Sequence, residues 1–194
     1  MDSKIIIGII VLVGVVAIVG GYYGYETYKN NAYNDLLLET DGANGTSAQS
    51  YDLAVNVTDK IDTVSYETSI KNIKNAINLN EKCINQSDEM INIAPDNATK
   101  EYAKLRKNQY INRGKIYELL LKLLEDIKAN GILAASATLG TFNSESENIG
   151  KQMEKDQIAL IKLVNDNPDL KKRLNEVLGE KRTKEILEPV ENTG

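Results

Sequence analysis

An uninterrupted apolar run near the N-terminus constrains this chain more than any other feature. Residues 5–24 read IIIGIIVLVGVVAIVGGYYG, twenty positions without a charged side chain. An α-helix rises about 1.5 Å per residue, so a helix of this length would cross the hydrocarbon core of a bilayer, which is about 30 Å thick. We therefore predict a single transmembrane helix over residues 5–24, with membrane lipid as its partner.

The residues on either side of the run predict its orientation. Lys4 and the amino terminus place positive charge on the N-terminal side, which favours a cytoplasmic N-terminus. On the other side a group of tyrosines marks the exit from lipid, because aromatic rings prefer the interface between membrane and water. These tyrosines are Tyr22, Tyr23, Tyr25, Tyr28 and Tyr33. The sequence thus predicts a cytoplasmic tail of residues 1–4 and a single-pass protein with its body outside the cell membrane.

A cleaved signal peptide is the alternative to this anchor. A cleaved signal peptide would make the protein secreted, but signal peptides usually have an apolar core of about 7–15 residues and a small-residue cleavage site. Here the run is longer, and the nearest small-residue stretch is residues 19–21.

Small residues in the run indicate a possible homodimer. Gly20 and Gly24 are spaced as in a G-x-x-x-G motif, and Ala17 and Gly21 form a second small pair. Such pairs allow two anchor helices to approach closely, which would join two copies of the chain.

Residues 25–50 are predicted to join the anchor to the body as a juxtamembrane segment and flexible linker. The stretch 39–50, ETDGANGTSAQS, is polar, small and contains glycine, a composition typical of linkers. Residues 51–190 then form the body, an extracytoplasmic helical domain, and residues 191–194 are a tail. Within the body the alternating residues 51–57 resemble a strand, but a lone strand has no partner, so we assign them to a helix.

The body predicts an all-α fold, an elongated antiparallel bundle of three to five helices. Isoleucines recur every seven residues at positions 70, 77, 84 and 91, with Tyr66 and Ile73 between them, which is the spacing of a helix packed along one seam. Asn80 and Ser87 interrupt that seam with polar side chains. The second helix contributes Gln109 and Asn112 to its own inward face.

Helix boundaries follow from capping and breaking residues. Pro95 ends the first body helix, and Asp96 or Asn97 caps the second. Residues 130–131, Asn-Gly, form its stop, and residues 132–139 are compatible with either helix or loop. The remaining signals are a capping box of Ser144 and Glu147 before a third helix, residues 167–168 as the start of a fourth, and Gly179 as its end.

The four polar positions have two interpretations. Asn80, Ser87, Gln109 and Asn112 are expected to face one another across antiparallel neighbours, where buried hydrogen bonds would select one helix register. Alternatively they line a ligand pocket. The first interpretation is the one we favour from sequence.

Composition excludes most catalytic chemistry. The chain has no histidine and one cysteine, Cys83, which excludes imidazole bases, histidine metal ligands, intramolecular disulfides and Cys-x-x-Cys motifs. Cys83 is predicted to be a small packing residue, with an intermolecular disulfide as the alternative. Phosphate-binding glycine loops and serine-hydrolase motifs are missing from the sequence. We therefore predict a protein that is not an enzyme and has no cofactor or metal.

Charge is distributed unevenly along the chain. The formal net charge is -5, which argues against a nucleic-acid partner. Residues 26–97 carry 12 acids and 5 bases, whereas residues 98–194 carry 15 acids and 17 bases. Two basic groups, within residues 100–115 and 171–184, would either dock a protein or cell-surface partner or face the acidic first half of the body.

Four Asn-x-Ser/Thr sequons agree with an outward-facing body. They are glycosylation candidates at Asn44, Asn56, Asn85 and Asn97.

The sequence as a whole predicts a membrane-anchored, extracytoplasmic helical bundle with a non-catalytic interaction, adhesion or scaffolding role. The alternative is a ligand-binding bundle that acts with a separate membrane partner. A secreted protein or a histidine-independent enzyme is less favoured.

Overall fold

A computed structural model of the chain describes the backbone of residues 3–56 and 63–188, and the side chains of residues 25–55 and 66–188. These residues form helices without any strand, as the sequence predicts. The helices are α1 (Ser3–Asn56), α2 (Thr63–Ile93), α3 (Asn97–Asn130), α4 (Ser136–Asp166), α5 (Pro168–Leu178) and α6 (Glu180–Ile186). Each of the first four packs on the next, and the short turns after α2 and α3 make these neighbours antiparallel.

The prediction of a flexible linker at residues 39–50 is wrong, because this stretch lies within α1. Its small polar residues recur at helical spacing and face the bundle, where Thr40, Asn44 and Ser47 are buried. The Ser47 hydroxyl donates to the Ala76 carbonyl of α2 at 2.9 Å. Short side chains let α1 and α2 approach closely, so a composition typical of a linker here forms a helix–helix seam.

The buried seam of α2 is rotated by one residue from the predicted isoleucine seam. Ile73, Asn80 and Ser87 are buried as expected, but the intervening buried positions are Ser69, Ala76, Cys83 and Met90. The isoleucines at 70, 77, 84 and 91 are only half-buried and flank this stripe. Because α2 packs on both α1 and α3, its most enclosed positions form the stripe between these two neighbours, and the four isoleucines lie beside that stripe.

Most predicted helix boundaries are confirmed. Asp96 caps α3, with its side chain accepting from the Thr99 amide at 2.8 Å in a capping box. Gly131 ends α3 with a φ of 81°, a conformation that favours glycine. The predicted start at Ser144 is wrong, because α4 begins at Ser136 and the Ser144 hydroxyl donates to the Thr141 carbonyl inside the helix. Residues 132–135 are a turn, which decides the open question for the first half of 132–139.

Two apolar clusters lie at different levels of the bundle. The six-helix cluster draws buried side chains from every helix: Tyr33, Leu37, Met90, Tyr102, Ala103, Leu160, Val164, Leu170, Leu174 and Ile186. The three-helix cluster draws buried side chains from α1, α2 and α3: Ala54, Ile73, Ala76, Tyr117, Leu120 and Leu124. Between the two clusters the helices meet mainly through polar residues, and we call this level the polar section. Its buried residues include Thr40, Asn44, Asn80, Cys83, Gln86, Ser87, Arg106, Gln109, Asn112, Asp156 and Gln157.

The short C-terminal helices return to α1. Arg173 of α5 donates to Asn30 and Asn34, and Arg182 of α6 forms an ion pair with Asp41 at 2.8 Å. Lys107 and Lys128 of α3 likewise pair with Asp88 and Glu67 of α2. Several bases of the second half of the chain therefore face acidic or polar residues of the first half.

The predicted anchor, residues 5–24, lies outside the residues whose side chains the structure describes. In the part that it describes, no helix combines the length and the apolar character needed to cross a membrane.

Candidate functional site

Most of the buried polar side chains of α3 lie in the polar section. Arg106, Gln109 and Asn112 are all at most 8% exposed, and the last two bond to Gln157 and Asp156 of α4, which are buried as well. Helical spacing places the three α3 residues on one face, because residues three to four apart lie one turn from each other. Burying such polar side chains inside a bundle costs free energy of folding unless they are hydrogen-bonded.

An open cleft of about 340 Å³ leads from the surface to this face. Its walls come from α1, α3 and α4, and from α6 with the residues just after it. The lining residues are Asn44, Gly45, Ala48, Arg106, Gln109, Arg113, Met153, Gln157, Arg182, Glu185, Ile186 and Glu188. Three arginines thus border one cleft, two of them on α3.

Arg106 is the most enclosed of these arginines. Its Nη1 donates to Gln109 Oε1 at 2.7 Å, its Nη2 donates to the Tyr110 hydroxyl at 2.8 Å, and its guanidinium lies 4.9 Å from the centre of the Tyr110 ring. Burial acts to lower the pKa of Arg106, but its interactions with Tyr110 and Tyr102 and the nearby Asp41 carboxylate outweigh burial, so the pKa is raised. The guanidinium therefore stays charged, with only neutral groups as hydrogen-bond acceptors.

Gln109 and Gln157 continue the network from Arg106 to α6. Gln109 Nε2 donates to Gln157 Oε1 at 2.8 Å, and Gln157 Nε2 donates in turn to the carbonyl oxygens of Ile186 and Glu188. The Ile186 carbonyl ends α6 and the Glu188 carbonyl lies two residues beyond it, and the last carbonyls of a helix have no partner within the helix. The network therefore fixes α4 and the end of α6 against α3.

Arg113 and Arg182 differ in their partners. Arg113 donates to the side-chain oxygen of Asn44 on α1, another neutral acceptor. Arg182 is bound by carboxylates, donating to both oxygens of Asp41 and to Glu185. The hydrogen bond to Asp41 is the main reason that the pKa of Arg182 is raised. Arg182 therefore bonds to carboxylates, whereas Arg106 and Arg113 bond to neutral groups.

Buried tyrosines surround the polar section and the six-helix cluster. Burial raises the pKa of Tyr33, Tyr102 and Tyr110, so their hydroxyls stay protonated at neutral pH. The Tyr33 hydroxyl donates to the Thr99 carbonyl at 2.8 Å, which ties α1 to the first turn of α3. These phenols act as hydrogen-bonding groups and not as proton-transfer groups.

The four polar positions singled out from sequence do not form one layer, contrary to the prediction. Gln109 and Asn112 face α4, where Asn112 Nδ2 donates to Asp156 at 3.3 Å. On α2, Asn80 Nδ2 donates to the Tyr110 carbonyl at 2.8 Å, and the Ser87 hydroxyl bonds within its own helix to Cys83. The sequence identified buried polar residues correctly but paired the wrong faces, because α3 has a neighbour on each side.

Gly114 allows Asn80 to reach α3. A Cβ atom built at Gly114 would lie 2.9 Å from Asn80 Nδ2, closer than normal packing permits. The side-chain oxygen of Asn80 is buried without a hydrogen-bond partner. The close contact between α2 and α3 therefore depends on a residue without a side chain at position 114.

The predicted glycosylation sites differ in accessibility. Asn85 and Asn97 are exposed, whereas Asn44 is 6% exposed and accepts from Arg113, so the folded chain does not present Asn44 to a glycosyltransferase. The side chain of Asn56 lies outside the described residues.

Cys83 is confirmed as a packing residue. Its side chain is fully buried, its thiol donates weakly to the Thr40 carbonyl at 3.6 Å, and burial raises its pKa to about 11. A buried thiol of this kind is inert. Over residues 25–55 and 66–188, no group of three histidine, cysteine, aspartate or glutamate side chains is arranged to hold a metal ion.

Sequence reasoning missed Arg106 and Arg113 as parts of the candidate site, since it grouped them with a basic surface cluster. The available indication was position, because Arg106 follows Tyr102 by four residues and precedes Gln109 by three, on the inward stripe of α3. A charged residue on an inward stripe is therefore predicted to be buried, unlike the exposed bases near it in sequence.

Comparisons with known proteins give no relative from which a role could be carried over: no family model, no curated protein and no solved structure matches this chain.

Proposed function

We propose that this protein is a membrane-anchored helical bundle whose body lies outside the cell membrane and has a non-catalytic role in interaction, adhesion or scaffolding. The apolar run 5–24 would be the single-pass anchor, and the bundle would be the part that meets partners.

The observation that carries this proposal is the continuity of α1. One helix runs from Ser3 to Asn56, and from Tyr33 onward one of its faces is buried in the bundle. If residues 5–24 span the membrane, the same helix enters the body after a neck of about eight residues. Tyr25 and Tyr28 on this neck are exposed, as aromatic residues at a membrane interface would be. Such an anchor would hold the bundle at a fixed height and orientation.

The chemistry of the body supports a non-catalytic role. Among the described residues, its buried ionisable groups are tyrosines with raised pKa values, the Cys83 thiol with a raised pKa, Arg106, and Asp156, which accepts from Asn112 and Gln152. A general acid or base works best when its pKa lies near the working pH. Tyrosine and arginine side chains of this kind are poor candidates for proton transfer.

The anchor is tested by placing charge inside the apolar run. We expect Val11→Lys combined with Val15→Lys to release the protein from carbonate-washed membranes, since each lysine near the bilayer centre costs about 2.5–3.5 kcal/mol. The matched control is Leu38→Lys combined with Leu53→Lys, which adds the same charge to α1 at exposed positions. Wild type and control should stay in the membrane pellet.

Topology and cleavage are read from the same cells. Protease added outside intact cells whose surface is accessible should digest the body, and N-terminal sequencing should begin at or near Met1. Complete protection would reverse the orientation. A mature protein that starts near Tyr22 and stays soluble would replace the anchor with a cleaved signal peptide.

One observation favours the second candidate function, a ligand-binding bundle. The cleft of about 340 Å³ has Arg106 in its lining, and among the described residues this buried side chain hydrogen-bonds within its own helix and joins no two helices. This candidate is compatible with either location of the protein.

A further inference from the structure

The two α3 arginines of the cleft have only neutral hydrogen-bond partners in the described part of the molecule. The acceptors of Arg106 are an amide and a phenol, and the acceptor of Arg113 is an amide. No ion pair involves either residue among residues 25–55 and 66–188, whereas Arg182 pairs with Asp41 and Glu185. Asp41 lies close enough to raise the pKa of Arg106, and Glu185 and Glu188 border the same cleft, but none of these carboxylates bonds to Arg106 or Arg113. An anion in the cleft would supply the direct charged partner that a partly or fully buried guanidinium favours.

Donor geometry points the same way. A guanidinium has five N–H donors, and Arg106 uses two of them within the protein while Arg113 uses one. The residues are seven positions apart on α3, two turns along the same face, and both border the cleft. Oxyanions such as carboxylate and phosphate accept two parallel N–H bonds from one guanidinium, which makes arginine the preferred side chain for binding them.

We propose that this cleft binds a small organic anion through one carboxylate or phosphate group that contacts Arg106 and Arg113. The cleft volume of about 340 Å³ lies at the lower end of the range for small-molecule sites, so the ligand is of metabolite size. Met153 and Ala48 supply an apolar surface for its carbon skeleton. This proposal does not rest on the membrane location proposed above.

The opposite wall sets a limit on ligand charge. Glu185 and Glu188 border the cleft on the α6 side, and Glu185 is only partly engaged by Arg182. Like charges repel across a low-dielectric cleft. The ligand therefore carries a single anionic group, and nucleic acid or another polyanion is excluded as an occupant.

The test uses the full chain in a neutral detergent, with arginines labelled by ¹⁵N. Sodium acetate and inorganic phosphate are titrated separately against sodium chloride at equal ionic strength, and the arginine Nε–H signals are followed. We expect saturable shifts of two signals, assigned to Arg106 and Arg113 by substitution, with acetate, phosphate or both. Acetate reports a carboxylate ligand, and phosphate reports a phosphorylated one.

Two variants and a control connect the shifts to the cleft. Arg113→Gln should weaken binding about tenfold, the loss expected for one charge-assisted contact. Ala48→Leu fills the cleft without changing its charge and should abolish binding, and it serves if Arg113→Gln does not fold. Lys122→Gln, an exposed position on the same helix, should bind as wild type does.

The proposal is overturned if acetate and phosphate both act like chloride, or if Ala48→Leu binds like Lys122→Gln. Membrane fractionation of the same chain is independent of these titrations, so failure of the anchor and failure of the anion site give different results.

Discussion

The six-helix cluster and the polar section are neighbouring levels of one bundle with opposite ways of joining helices. In the six-helix cluster, Leu160, Val164 and Leu174 are fully buried among apolar side chains. In the polar section, helices meet through hydrogen bonds such as Asn80 to Tyr110 and Gln109 to Gln157. Both levels are enclosed, but only one of them gains most of its energy from removing apolar surface from water.

The two levels therefore have different roles, one in the stability of the fold and the other in the choice of helix register. Apolar burial is non-directional and contributes about 25 cal/mol per Å², whereas a satisfied buried hydrogen bond adds only about 1 kcal/mol net. Hydrogen bonds require one register, however, and a register slip leaves donors such as Asn80 and Gln109 without acceptors. The six-helix cluster therefore supplies most of the stability, and the polar section determines which faces of α2, α3 and α4 meet.

The largest effect is expected in the six-helix cluster. Leu160→Ala removes a fully buried side chain where all helices converge, and we expect it to lower the free energy of unfolding by about 4 kcal/mol. The matched control is Ile158→Ala on the same helix, where the side chain is 60% exposed, and its cost should stay below about 0.5 kcal/mol. Urea unfolding of the full chain in detergent measures both. Similar losses for the two variants would mean that the cluster is not the main source of stability.

A pH effect is expected in the polar section, through Cys83. The thiol ionises at its ordinary pKa of 9.0 in the unfolded chain and at about 11 in the folded protein. Ionisation above pH 9 therefore favours the unfolded state, so the contribution of this thiol is complete below pH 9 and is lost as pH rises toward 11. The loss is on the order of 1 kcal/mol by pH 10.

Comparing wild type with Cys83→Ala isolates that contribution. Buried tyrosines with raised pKa values also lose stability at high pH, but they do so in both proteins. Between pH 8 and pH 10 the unfolding free energy of the variant should fall less steeply. Parallel pH profiles would contradict the assignment of Cys83 to an enclosed, water-free position.

Much of the fold could be predicted from sequence where one residue has one structural consequence. Pro95 ends α2, Asp96 caps α3, and the glycines at 131 and 179 end α3 and α5 with φ values of 81° and 85°. Helical periodicity likewise predicted an all-α body. These features depend on local backbone chemistry, which requires no knowledge of the neighbouring helices.

Pairing of faces could not be predicted in the same way. Residues 39–50 have the composition of a linker, and only their contact with α2 makes the small residues at 40, 44 and 47 a seam. Gln109 has a helix on each side, and spacing alone did not decide between α2 and α4. The candidate cleft combines residues from α1, α3, α4 and α6, so its arginines became visible only once the helices were assembled.

The smallest effect concerns Gly114, where steric contact and helix propensity act in opposite directions. In the interior of a helix, replacing glycine with alanine normally stabilises by about 0.5–1 kcal/mol. Gly150→Ala on α4 should show this gain, because nothing lies within 4 Å of a Cβ atom at that position. Gly114→Ala should instead destabilise by about 0.5 kcal/mol net, since the new methyl group meets the Asn80 amide and overpacking of a close contact costs more than the propensity gain.

Asn80→Ala in the Gly114→Ala background should restore part of the loss, because the shorter side chain removes the steric conflict. If Gly114→Ala stabilised the chain as Gly150→Ala does, α2 and α3 would not be held at the distance that the polar section requires.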